Sequence, residues 1–234
     1  MFARQDNASI SHSRHLLGLI QQTLDEAELR LEQLDAIAVV RGPGSFTGLR
    51  IGIAVAQGLA FGHQIPVIPV SSLAAVAMNA KLKFNKNALS VDAVLATLDA
   101  RMSELYCGWY DLRGSLPQLI GRERVLKPSE LSQVGRLHLE AGSLSLISLP
   151  ADPISDSLAN EVAPALLMVG EGLSYQDQIT PPFSHWISLG EDLTAIGPDA
   201  CAVVPLAEQA FLSKQGIVQA EQLIPSYLRD NVTS

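Results

Sequence analysis

The chain has 234 residues, 47% of them hydrophobic, and a formal net charge of -8. That length suits one large domain or two small ones. The acidic balance argues against an autonomous nucleic-acid binder, which neutralises phosphate with a basic face. Cys107 and Cys201 lie far apart without metal-type spacing and read as reduced, buried thiols.

From the N-terminus, Met1 to Asn7 has neither signal-peptide nor transit-peptide character, so a soluble cytoplasmic protein is expected. The spacing of Leu16, Leu17, Ile20, Leu24, Ala27 and Leu31 predicts an amphipathic helix over Ser11–Arg30, with Leu19 standing off its main face. Ile37–Val40 is a β-branched strand that feeds a loop with glycines at 42, 44 and 48. Thr47 is the expected N-cap of the following helix. From Leu49 to Phe61 that helix is apolar almost all round, with Arg50 and Gln57 as its strongly polar members, so it is covered on more than one side. It falls short of the ~20 apolar residues a bilayer span takes. Gly48, Gly52, Ala56 and Ala60 form a small-residue stripe, and Ile51, Val55 and Leu59 a bulkier one. One stripe suits the chain's own sheet and the other a partner helix.

Ile65–Val70 predicts a short buried strand, which Pro66 and Pro69 place at a sheet edge or leave with few ladder bonds. A helix over Leu73–Ala80 follows, capped by Ser71 or Ser72, and the polar stretch Lys81–Ser90 reads as a loop at a domain boundary. Val91–Leu98 and Glu104–Leu112, joined by a turn at Asp99, read as a hairpin. The charge trio Arg122-Glu123-Arg124 reads as a solvated face, and Lys127-Pro128-Ser129-Glu130 is expected to open a short helix with Ser129 as its cap. Leu137–Pro164 reads as an irregular excursion, Leu166–Val169 as a strand ending at Gly170-Glu171-Gly172, and Pro198-Asp199 as the start of a helix to about Lys214.

The glycine loop resembles a phosphate cradle, but its spacings fit neither a P-loop nor a dinucleotide fingerprint, and tight turning before a helix explains the same residues. His12 and His15 share a helix face without a third ligand nearby, so exposed first-turn histidines are preferred over a metal site. Asp99, Arg101 and Glu104 read as turn ion pairs rather than an acid–base group. Ser45 follows a glycine, yet no GxSxG elbow or His/Asp pair activates it. No catalytic, cofactor-binding or metal residue is nominated. On these residues alone the chain is an α/β protein whose buried-looking helix suits an interface.

The motif Gly42, Pro43, Gly44, Ser45, Phe46, Thr47, Gly48 and Arg50, the turn with Asp99 and Arg101, and the tail Pro225-Ser-Tyr227-Leu-Arg229 together resemble the TsaB (YeaZ) family. That is the dimerisation subunit of threonylcarbamoyladenosine (t6A) tRNA modification. His12–Leu17, Ala54–Ala60 and Val70–Leu73 continue the match in the family's order. The resemblance implies a two-domain actin-like, Hsp70-like (ASKHA) ATPase fold with a degenerate nucleotide site. The expected domains are 1–88 and 89–234, with the final tail packing back on the first. It implies a non-catalytic subunit that pairs with TsaD and works with the ATPase TsaE, or forms a homodimer without TsaD. Such a subunit binds no cofactor alone, while the complex uses ATP and meets tRNA. A membrane has no part. The implied partner face is Leu16, Leu19, Ile20, Leu49, Gly52, Ile53, Ala56 and Ala60. Family members open with a strand and hairpin that this sequence lacks, on the order of 20 residues. The competing classes are a glycoprotease-like peptidase, an actin-like kinase and a regulatory homodimer.

Overall fold

The computed structural model of the chain describes residues 3–4, 12–134, 136–140, 143–147, 166–179 and 193–229. Two compact units divide it: Met1–Ala75 with Asp199–Tyr227, and Val76–Pro198 with Leu228–Ser234.

The first unit is built on a βαβ arrangement. Strand β1 (Ile37–Gly42) leads through the glycine loop into helix α2 (Phe46–His63), and β2 (Val67–Ser71) returns parallel to β1. Helix α1 (His12–Glu26) precedes them, and α4 (Ala200–Ser213) joins from late in the sequence. A parallel pair buried on both faces needs apolar side chains on both. Ile37, Val39 and Val67 turn one way and pack with Ile53, Ala56 and Ala60 of α2. Ala36, Val40, Ile68 and Val70 turn the other way and pack with Val203 and Ala207 of α4. Val67 also exchanges both backbone hydrogen bonds with Val218, at 2.9 Å each, so β2 is bordered by the segment after α4.

In the second unit the sheet order is β5 (Gln118–Leu126), β4 (Glu104–Asp111), β3 (Ala93–Arg101) and β8 (Leu166–Gly170). The expected hairpin is present as β3 (Ala93–Arg101) and β4 (Glu104–Asp111), antiparallel with Leu98 opposite Tyr106. Strand β5 (Gln118–Leu126) extends the meander, and β8 (Leu166–Gly170) lies parallel to β3 with Thr97 opposite Gly170. Trp109, Leu105, Leu95 and Met168 are fully buried in this unit. Glycine is required at the end of β8. Gly170 has φ +100°, and a Cβ there would lie 2.1 Å from the Thr97 carbonyl oxygen; one on Gly172 would meet the Thr97 side chain at 2.6 Å. Thr97 itself is sealed in, its hydroxyl donating to the Val169 carbonyl at 2.7 Å.

Four elements differ from the sequence reading. Helix α3 (Ser72–Lys86) continues through most of the expected boundary loop, because Phe84 is only 2% exposed and holds the extra turns in place. The division between units therefore falls within α3, not at residue 88, and Asp199–Tyr227 belongs with the first unit because α4 covers one face of its sheet. The charge trio Arg122-Glu123-Arg124 lies in a strand, where Glu123 accepts the Tyr110 phenol. Residues expected to be irregular include the antiparallel pair β6 (Arg136–Glu140) and β7 (Ser143–Ile147); residues 148–164 of that stretch lie outside the described ones.

Candidate functional site

Backbone conformation organises the glycine motif first. Gly42 has φ +113° and Gly44 φ +155°, and the Gly42–Pro43 peptide bond is cis. The chain turns sharply out of β1 and enters α2 with Ser45, not Thr47, as N-cap. The Ser45 hydroxyl accepts the Gly48 N–H at 3.4 Å, one residue before the helix, where a short side chain reaches back most easily. That hydroxyl is thus engaged in capping. Gly42 is also closely covered: a Cβ there would lie 2.7 Å from the Ser226 carbonyl oxygen and 3.1 Å from the Leu49 side chain. Beside it the Ser226 N–H donates to the Arg41 carbonyl at 2.8 Å. Gly42→Ala is expected to lower unfolding stability by about 2 kcal/mol, since strain at positive φ adds to the clash. Urea denaturation reads it, and an unchanged midpoint would show that the tail does not depend on this contact.

The two family motifs at the ends of the first unit meet in space. Arg50 lies over the Phe46 ring, its guanidinium carbon 3.8 Å from the centroid, and its Nε donates to the Tyr227 hydroxyl at 3.2 Å. Phe46 and Tyr227 sit 5.9 Å apart at a tilt of 35°. The other polar side chain of α2, Gln57, donates to the carbonyls of Ala220 and Leu223 at 3.2 and 3.0 Å, tying the C-terminal segment to the helix. Neither polar residue is a stray on an apolar helix.

The expected partner face divides. Ile53, Ala56 and Ala60 are at most 5% exposed and form part of the unit's own core against β1 and β2, so they are not available to a partner. Of the small-residue stripe, Ala56 and Ala60 serve the chain's own sheet, because small side chains let the helix approach it closely, while Gly48 and Gly52 lie outside that core. Leu16, Leu19 and Ile20 of α1 and Leu49 and Gly52 of α2 are half-buried. Away from the core, Gly18, Gly52, Gly58 and Gly62 have open space where a Cβ would point, and Leu17 and Phe61 are 53% and 66% exposed. Thr47 and Gly48 are exposed, while Gly42 and Pro43 are buried.

In the second unit the β3–β4 turn is a closed polar knot. Arg101, Met102 and Ser103 all adopt left-handed backbone, with φ between +54° and +63°. Asp99 accepts the Arg101 N–H at 2.7 Å and pairs with its guanidinium at 3.1 Å. Tyr175 donates its phenol to Asp99 at 3.1 Å, a bond that holds the phenol above its ordinary pKa. The Asp99 N–H donates to Glu171 at 3.2 Å. Arg229, from the tail motif, pairs with Glu104 and donates to the Ala100 carbonyl at 3.3 Å. Asp99 and Glu104 therefore have separate basic partners, as ion pairs of a turn rather than an acid–base couple. His15 is exposed and the His12 side chain lies outside the described ones. Among the described residues no three His, Cys, Asp or Glu side chains are grouped to hold a metal, and no helix is long and apolar enough to cross a membrane. Cys107 is sealed in the sheet and burial pushes its thiol up to about 12. Sequence reasoning missed the meeting of Arg50 with Tyr227, and the only signal for it was that both belong to motifs.

A family model described as "TsaD: tRNA N6-adenosine threonylcarbamoyltransferase" matches residues 6–234. The fold is thereby of the actin-like, Hsp70-like α/β class to which that model and its structural neighbours belong. The chain is 33% identical to the tRNA threonylcarbamoyladenosine biosynthesis protein TsaB of Haemophilus influenzae, over 97% of this chain and 83% of that one. It is 44% identical to the Escherichia coli protein of the same name, over 94% of this chain and 82% of that one. A solved Pseudomonas aeruginosa structure, of a protein described as similar to peptidase YeaZ, superposes with a TM-score of 0.72 at 33% identity, covering 96% of this chain and 87% of that one. The chain belongs to the TsaB (YeaZ) family.

Proposed function

We propose that the chain acts in t6A biosynthesis as a non-catalytic scaffold in the cytoplasm, pairing with a TsaD-type catalytic subunit so that a threonylcarbamoyl group reaches adenosine 37 of ANN-decoding tRNAs. A TsaE-type ATPase works with the pair. The observation that carries this is the outward side of α1 and α2, where open glycines and the exposed Leu17 and Phe61 leave room for close helix approach. Close packing of this kind gains from dispersion and apolar burial without large side chains. A homodimer uses the same side when the partner is absent. The peptidase reading is the weaker one, because the Ser45 hydroxyl is engaged as a helix cap and the carboxylates at the turn are paired.

Complementation is the test. Cells depleted of their own TsaB regain t6A when this chain is expressed, as measured by nucleoside mass spectrometry; absence of the modified nucleoside would refute the assignment. ATP is consumed by the complex and not held by this chain alone, so calorimetric titration of ATP into the isolated chain gives no tight isotherm. A tight one would reverse that reading.

A further inference from the structure

The Phe46–Arg50–Tyr227 cluster stands at the start of α2, and none of its residues is among those named for the helix-to-helix pairing above. Its three side chains are all exposed, with Phe46 at 53% and Tyr227 at 49%. Two exposed aromatic rings side by side form a small contiguous apolar patch, the kind of surface that interaction sites use. Here they are also pre-arranged. The guanidinium lies against the Phe46 ring and is fixed at Nε by the Tyr227 hydroxyl. Its two terminal nitrogens carry no bond from that pairing, and the outer face of the guanidinium plane points away from the ring.

Although the chain is acidic overall, no Asp or Glu occurs between Asp35 and Asp92, a stretch that contains Arg41 and Arg50. The cluster thus combines flat stacking surfaces, a planar cation whose terminal nitrogens have no hydrogen-bond partner among the described residues, and a sequence neighbourhood without carboxylates. Unpaired nucleotides are recognised by this combination: bases stack on aromatic rings or arginine planes, and the guanidinium fork takes the phosphate.

We propose that this cluster contacts an unpaired nucleotide of an RNA loop, with the base stacked on the outer face of the Arg50 guanidinium and a backbone phosphate on its terminal nitrogens. The assignment rests on the reading of the chain as a t6A subunit for the identity of the RNA, though not for its chemistry. One cluster and a net charge of -8 give weak binding by the chain alone. The contact then orients an RNA held mainly by other surfaces.

The test uses the full chain with a fluorescent single-stranded RNA oligonucleotide at low salt, and ultraviolet cross-linking with peptide mapping. The cross-linked base is expected on the peptides carrying Phe46 or Tyr227. Arg50→Ala is expected to weaken binding about tenfold and to lower the salt slope by about one. Arg50→Lys keeps the charge but loses the stacking plane, so it retains the salt slope and loses part of the affinity. Thermal unfolding of the exposed-site variants matches the unaltered chain. The proposal is overturned if the unaltered chain binds no single-stranded RNA, if cross-links map only elsewhere, or if duplex RNA binds equally well. It is also overturned if Arg50→Ala and Phe46→Ala leave RNA binding unchanged but abolish capture of the catalytic subunit, which would make the cluster a protein contact. The t6A reading is judged separately: it stands if the unaltered chain restores the modification, whatever the RNA result.

Discussion

Gly52→Arg is expected to leave the chain folded and abolish capture of a TsaD-type subunit, whereas Ala56→Arg, one helical turn further on, is expected to unfold the first unit. A Cβ on Gly52 meets nothing within 4 Å, so a long side chain extends into solvent and blocks helix approach by bulk and charge. Ala56 is 5% exposed and packs among Ile53, Val67 and Leu223. An arginine there either buries an unpaired charge or pushes α2 off the sheet, costing several kcal/mol by either route. That is a large share of the about 5–15 kcal/mol that holds a domain together. Circular dichroism on heating separates the two variants, and an affinity pull-down reads the interface. Full capture by folded Gly52→Arg would remove the outward side of α2 from the interface. A cooperative, unshifted transition for Ala56→Arg would show that the α2–sheet seam is looser than its packing implies.

The second large effect is at the end of β8. Gly170→Ala places a methyl group 2.1 Å from the Thr97 carbonyl oxygen at φ +100°. Backbone faces backbone there, in the parallel pairing of β3 with β8, so no flexible side chain can yield. The strands must separate or shift, and a loss of about 3–5 kcal/mol is expected. Gly216→Ala is the control. It also has positive φ, +69°, but open space around the new methyl, so it loses only about 1 kcal/mol for the conformation. Equal unfolding midpoints for the two variants would attribute the whole effect to φ and none to the close approach.

The elements with strong periodicity were readable from the residues: the β3–β4 hairpin, α4 from near Asp199 to near Lys214, and the apolarity of α2. Which side of α2 faces inward was not readable. Its sequence has a small stripe and a bulky stripe, either of which fits a sheet, and the choice depends on what Ile37, Val39, Val67 and Leu223 leave room for. Strand β5 escaped notice because its charged residues mask the alternation of its one packed face. Contacts such as Arg50 with Tyr227 or Gln57 with Leu223 link residues more than 160 positions apart, and no local pattern encodes them. The resemblance to a family located the motif residues without saying that two of the motifs touch.

The discontinuity of the first unit has a consequence for how the chain matures on the ribosome. One face of its β1–β2 pair is closed by Val203 and Ala207 of α4, and the other is completed by Ala220 and Leu223. All four residues are made after the whole span Val76–Pro198 of the second unit. Most of the second unit is thus made before the first unit can be completed. The Val76–Pro198 part of the second unit is available to fold while the first unit still exposes Ile68 and Val70, and a chain stalled before Asp199 presents a bare apolar sheet face to chaperones. Pulse-labelled nascent chains should accordingly gain protease resistance in the first unit only as the last residues emerge.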